Sequence, residues 1–153
     1  MLQRIQTIYL LIIVILSMTL LFLPLGALQV GNNFYRFDIS GISSLGQAGE
    51  LLYSTWGLYA LSVLTTVIAL ISIFLFKNRV LQIRLSVFNG LIMVGFYAFV
   101  GYIIWNMKDQ VESIQFMPKI ALGFPLINII LDYLAIRNIG ADEALVRSLE
   151  RLR

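Results

Sequence analysis

The chain has 153 residues, of which 59% are apolar and 12% charged, with a formal net charge of +3. The charged share is about half the usual one, and the mean hydropathy is +0.89. A soluble domain this small cannot bury so much apolar surface, so soluble enzyme folds are excluded and an integral membrane protein is indicated.

Cysteine and histidine are both absent. Their absence removes disulfides, thiol and histidine catalysis, histidine-ligated haem, cysteine-ligated clusters and the usual zinc sites.

The first charge-free run lies between Arg4 and Arg36, with its apolar centre at residues 8–28. A hydrocarbon core needs about 20 helical residues, so this run predicts a span, with Pro24 kinking or ending the helix near its far end. Arg4 followed by a long apolar stretch has the outline of a signal peptide. The apolar region is long for one, and Leu25-Gly26-Ala27 puts a bulky Leu where cleavage wants a small residue. The segment is therefore expected to stay in place.

In the loop at 29–52, Gly31-Asn32-Asn33 sits between Leu28-Gln29-Val30 and Phe34-Tyr35-Arg36-Phe37-Asp38-Ile39. That pattern predicts a short β-hairpin, followed by an irregular return through Gly41, Ser43, Ser44 and Gly46. An isolated hairpin is marginal in water, so it should lean on the loop at 106–118 or on a partner. Three further spans follow at residues 53–76, 85–105 and 120–136, the last containing one charge, Asp132. Small residues in the second and third spans, among them Ser62, Thr65, Thr66, Ala69, Ser72 and Gly95, suit close helix packing.

With the N-terminus inside, the inner segments carry Arg4, Lys77, Arg79, Arg84, Arg137, Arg147, Arg151 and Arg153, eight of the 11 basic residues. The outer segments carry Arg36, Lys108 and Lys119, the other three. This asymmetry predicts both termini in the cytoplasm. Tyr53, Trp56 and Trp105 then fall at outer span ends, where amphipathic rings prefer the interface. The basic residues flank apolar runs and form no block interleaved with aromatics, so no nucleic-acid partner is expected.

A carboxylate in hydrocarbon is costly, so Asp132 is the leading candidate for a functional residue. Asp132 precedes Arg137 by five residues and Asn89 follows Arg84 by five. At 1.5 Å per residue both lie roughly 7–8 Å inside the same boundary. Asn128 is one turn away on the face of Asp132. Asn89, Asn128 and Asp132 are thus expected to form an intramembrane polar cluster, with Arg84 or Arg137 bending in to neutralise the acid. Its role is read as pinning two helices together or as a proton or cation site, unless Asp132 snorkels to the headgroups.

The tail is predicted to be a separate amphipathic helix. Ile139-Gly140 supplies a glycine stop and Asp142-Glu143 a new start. Leu145, Leu149 and Leu152 then form an apolar stripe, Glu143 and Arg147 pair one turn apart, and Arg147, Arg151 and Arg153 give a basic face. Such a helix lies on lipid or docks a partner, with Arg4 contributing from the other terminus.

Both ends of the chain resemble one family. Met1-Leu2-Gln3-Arg4-Ile5-Gln6-Thr7-Ile8-Tyr9-Leu10-Leu11 resembles its opening. Leu134-Ala135-Ile136-Arg137, with Asp142-Glu143-Ala144-Leu145-Val146-Arg147-Ser148 and Arg151-Leu152-Arg153, resembles its close. The family is one of small four-span inner-membrane proteins of Bacteroidota, defined only as a domain of unknown function. Ser148-Leu149-Glu150-Arg151 stands where that family often has Ser-Ala-Asp-Arg, and Asn138-Ile139-Gly140 replaces a more basic stretch. The resemblance implies fold and location, and no activity.

The expected fold is therefore an all-α membrane protein: a transmembrane four-helix bundle over residues 1–140, a short outer hairpin and a tail helix over 141–153. No catalytic set, cofactor or metal site is expected. The expected function is that of a non-enzymatic accessory or scaffold subunit of the bacterial inner membrane. Its partners would be lipids and either another membrane protein or a second copy. The alternative is a small transporter or channel component using Asp132.

Overall fold

The computed structural model describes residues 2–45, 51–76, 78–110 and 114–151. The elements in chain order are α1 (Leu2–Leu20), β1 (Gly26–Val30), β2 (Asn33–Phe37), β3 (Gly41–Ser44), β4 (Leu51–Ser54), α2 (Trp56–Phe74), α3 (Arg79–Gln110), β5 (Ile114–Pro118), a 3-10 turn at Ile120–Gly123 and α4 (Phe124–Arg151).

Buried positions recur at alternating steps of three and four along every helix. They are Gln6, Leu10, Ile13, Ser17 and Leu20 on α1, and Leu58, Ser62, Thr65, Ala69 and Ser72 on α2. On α3 they are Gln82, Ser86, Asn89, Met93, Phe96, Val100 and Ile103. On α4 they are Asn128, Asp132, Ala135 and Ile139. This seam spacing lets helices interlock side by side at shallow crossing angles. Accordingly α1 packs on α2 and α4, and α3 packs on the same two, so the four helices stand in a ring.

The seam holds polar residues among its apolar ones, while the outer faces are apolar. Ile8, Leu11, Ile15 and Met18 on α1 are exposed, as are Val67, Leu70, Ile71 and Phe74 on α2, Val87, Phe88, Leu91 and Val94 on α3, and Leu126, Ile127 and Ile130 on α4. Three helices, at Trp56–Phe74, Arg79–Asp109 and Ile120–Ser148, are long and apolar enough to cross a membrane, and Ile5–Leu20 is a shorter apolar helix.

The all-α expectation is overturned at one end of the ring. The segments on either side of the hairpin and the α3–α4 connection fold into one antiparallel sheet of five strands, in the order β4-β3-β2-β1-β5. The expected hairpin is its centre: β1 and β2 pair from Gly26↔Phe37 to Val30↔Asn33. The loop residues are Gly31 and Asn32, with Gly31 at φ 59, the left-handed value that glycine supplies in the first position of a type II′ hairpin.

The two connections leave the same end of antiparallel helices. That brings Ile114–Pro118 alongside β1, from Gly26↔Pro118 to Val30↔Ile114. The return read as irregular becomes β3 and β4, with a bulge at Ile42/Ser43. Pairing satisfies backbone groups that would otherwise be buried without partners at the helix ends.

One sheet face is packed on the helices. Leu25, Leu28, Phe37, Ile39, Ile42 and Ile114 form a buried cluster with Leu20, Leu58, Phe96, Val100, Ile103 and Ala121. Phe37 meets Phe116 edge-on, with ring centroids 6.0 Å apart. Fully burying side chains of this kind contributes about 1.5–3 kcal/mol each. Thr55 ties the sheet to α2, its hydroxyl donating to the Asp38 carbonyl at 3.1 Å and the Ile39 carbonyl at 2.8 Å.

Two helix boundaries also differ from expectation. The first span, read as 8–28, is helical only to Leu20, because the residues from Gly26 onward are taken by the central strand. The bend expected at Asn138–Gly140 is absent, and α4 runs without a break to Arg151. A helical glycine costs only about 1 kcal/mol. Two contacts outweigh it: Ile139 is fully buried, and the Arg79 guanidinium holds the next turn, donating to the Asp142 carbonyl at 3.1 Å.

Candidate functional site

The polar residues of the seam lie at four matched levels, counted from the sheet end. Ser17, Ser62, Thr65 and Asn128 surround a cavity of about 10 Å³, with Met93 and Phe96. Asn128 Nδ2 donates to Ser17 Oγ there at 3.0 Å, joining α4 to α1. One turn further from the sheet, Asn89 Nδ2 donates to Asp132 Oδ2 at 3.0 Å, joining α3 to α4. Ser86, one turn before Asn89, lies beside the Asp132 carboxylate without a well-formed hydrogen bond. At the last level Gln82 Nε2 donates to the Ser72 carbonyl at 3.0 Å, and Gln6 is buried on α1.

Of the residues expected to cluster, the structure brings Asn89 and Asp132 into direct contact and places Asn128 on its own level with Ser17. Arg84 is elsewhere. Its side chain is exposed and lines an open groove of about 690 Å³ with Arg79, Phe76, Leu81, Glu143 and Val146. Arg137 is exposed as well. Long basic side chains keep their charged heads in water where they can, so neither bends inward. Among the described residues Asp132 has no ion pair. The basic residue that reaches α4 is Arg79, whose guanidinium lies 3.7 Å from Asp142 Oδ2.

Asp132 is 2% exposed and Asn89 1%. Among the described residues, seven buried side-chain atoms lack a hydrogen-bond partner: Gln6 Nε2, Ser62 Oγ, Ser72 Oγ, Ser86 Oγ, Asn89 Oδ1, Asn128 Oδ1 and Asp132 Oδ1. Native proteins leave only a few such atoms per 100 residues, and here all of them lie on the helical seam. The interior thus carries polar side chains with spare oxygens at several levels, interleaved with a buried apolar cluster of Leu10, Ile13, Val14, Ala69, Met93 and Ala135 and bounded at the sheet by the larger one. The arrangement can hold a small polar guest or pin helices together. Among the described residues no three of Asp and Glu gather as a metal-binding group.

The pattern reading missed Gln6, Ser17, Ser86 and Gln82. The signal was present: Gln82, Ser86, Asn89 and Met93 are spaced four, three and four, the same step that carries the buried stripe.

At the tail, Arg147 pairs with Glu143 at 3.0 Å, and Leu145 is 54% exposed with Val146 beside it. Arg4, Leu149 and Arg151 lie outside the residues whose side chains are described, and Leu152 and Arg153 lie outside the described residues altogether.

No curated protein matches the chain. The family model described as a domain of unknown function, DUF4293, matches residues 2–152, and the chain belongs to that family.

Proposed function

We propose that the protein spans the bacterial inner membrane four times as a helix bundle, with both termini in the cytoplasm. In this reading it acts there as a non-enzymatic accessory or scaffold subunit. The observation that carries the membrane part is the inverted distribution of side chains. Buried polar groups recur along the helical seam among apolar ones, and apolar groups cover the outside, where a soluble helical protein would be polar. The Lys and Arg asymmetry orients the spans. Trp56 and Trp105, 72% and 78% exposed, sit at the sheet end of α2 and α3, the height of an aromatic belt.

The subunit part rests on where free surface remains. The cavity between the helices at Ser17, Ser62 and Asn128 is about 10 Å³, too small for an organic substrate. The exposed apolar stripe at Leu145 and Val146, with the groove beside it, is at the cytoplasmic end of the proposed topology. A transport path through one copy is disfavoured by the apolar cluster that closes the sheet end.

Purification of the full chain from its native membrane in mild detergent tests this reading. Wild type should elute as a stoichiometric complex, and Leu145→Glu should elute at its own mass while remaining inserted. Equal masses for the two proteins would refute docking through the tail.

A further inference from the structure

Unexplained chemistry concentrates at the level of Asp132. Its carboxylate is almost wholly enclosed, it has no basic partner among the described residues, and one of its oxygens is unsatisfied. The amide that grips its other oxygen, Asn89, also leaves its own oxygen unsatisfied, and so does the Ser86 hydroxyl beside them. We propose that Asp132, Asn89 and Ser86 form a binding site for a monovalent cation of sodium size.

The charge decides the class of guest. A single buried carboxylate with no counter-charge is costly, and one positive charge answers it. A divalent ion would leave an excess positive charge, and it normally calls on several carboxylates, which the described residues do not gather here.

The donor atoms decide the type. Asp132 Oδ1, Asn89 Oδ1 and Ser86 Oγ are all oxygens, the ligands of a hard, redox-inert cation. The 3.0 Å hydrogen bond from Asn89 Nδ2 to Asp132 Oδ2 puts the two side chains that carry these orphan oxygens in direct contact. The packing limits the size. The three orphan atoms are wholly enclosed, and the cavity one turn toward the sheet, between Ser17, Ser62, Thr65 and Asn128, holds only about 10 Å³, so a large ion has no room. Toward the end opposite the sheet, Ser72, Gln82 and Gln6 add further buried polar side chains, with Leu10, Ala135 and Ile139 buried among them. This inference depends on the helical interior alone and on neither reading of the protein's function.

The test uses the purified full chain in detergent at fixed pH and ionic strength, with choline chloride replaced stepwise by sodium chloride. The unfolding temperature of wild type should rise by several degrees as sodium is added and then saturate. Asp132→Asn keeps the shape and its hydrogen bond to Asn89 but removes the charge, and should show no sodium response. Ser86→Ala should shift the sodium midpoint upward by about tenfold, as expected for loss of one contact to a charged group. Sodium NMR on wild type should show line broadening that lithium reverses, a readout that needs no variant to fold. A wild type indifferent to sodium against choline overturns the proposal. So does an Asp132→Asn protein that responds as wild type does, or a site that responds to pH alone. A response to potassium equal to that for sodium overturns the size assignment.

Discussion

Gly140→Ala and Gly26→Ala should move stability in opposite directions. Gly140 lies inside α4, and a Cβ added there meets nothing within 4 Å. If the helix runs through unbroken, alanine gains the propensity difference of about 0.8–1.0 kcal/mol, which in a chain of this length raises the unfolding temperature by roughly 2–4 °C. If the chain bent at Gly140 in a left-handed turn, the same change would cost about 1–2 kcal/mol.

At Gly26 the added Cβ would lie 2.6 Å from Phe116 Cε2 and 2.9 Å from the Met117 carbonyl oxygen, inside the optimum carbon contact of about 3.5–4.0 Å. The carbonyl belongs to the paired strand β5, and the ring is set against Phe37. Relief therefore requires the two strands to part. Overpacking of this kind costs about 1–3 kcal/mol, offset by about 0.4–1 kcal/mol of lost freedom in the unfolded chain. Thermal unfolding of the two purified variants beside wild type provides the assay. A destabilised Gly140→Ala would refute the continuous helix. A neutral Gly26→Ala would refute the close pairing of β1 with β5.

Tyr97→Phe should cost about 1–2 kcal/mol in the same assay, because its hydroxyl donates to the Leu122 carbonyl at 2.6 Å and accepts from the Leu126 amide at 3.0 Å, closing the start of α4. Phe37→Ala, which empties the centre of the sheet cluster, should cost about 3–5 kcal/mol. Arg79→Ala should change global stability by no more than about 1 kcal/mol, since the pair with Asp142 is partly exposed, yet it should hasten proteolysis of the chain beyond Gly140. The absence of cysteine permits clean single-cysteine labelling. Asn32→Cys and Ser148→Cys should react with an impermeant maleimide from opposite sides of sealed vesicles, and labelling from one side would refute the topology.

The helices were legible because charge-free runs of about twenty residues have few other uses. The depth arithmetic from Arg84 and Arg137 put Asn89 opposite Asp132, because rise per residue is nearly constant in a helix. It failed for Arg84 itself, since depth says nothing of where a flexible head points.

The sheet was legible only at its hairpin, where Gly31 gives a local turn signal. Ile114–Pro118 and Gly41–Ser44 have little pattern of their own and become strands through pairing, a long-range fact that local reading does not hold. Gly140 misled for the converse reason. A glycine is a good helix stop in isolation, and here the buried Ile139 and the grip of Arg79 on Asp142 carry the helix past it.

In the lipid setting proposed above, the two ends of the molecule are held by different forces. Lipid tails are as apolar as leucine, so contacts between helices gain little from the hydrophobic effect, and interhelical hydrogen bonds average about 0.6 kcal/mol. The Asn89–Asp132 and Asn128–Ser17 bonds are of that size. The sheet lies beyond the hydrocarbon, where burial of Leu25, Leu28, Phe37, Ile39 and Ile42 contributes about 1.5–3 kcal/mol each. It spans both connections at its end of the ring, β5 joining the α3–α4 side to the α1–α2 side. Helix register is therefore set mainly at the sheet. The seam further along is released from maximal packing and can keep unsatisfied oxygens around Asp132 without loss of the fold. At the opposite end the pairs Arg79–Asp142 and Arg147–Glu143 offset part of the basic charge, and the exposed Arg84 and Arg137 leave that end net positive, so attraction of a cation to the seam rests on Asp132 itself.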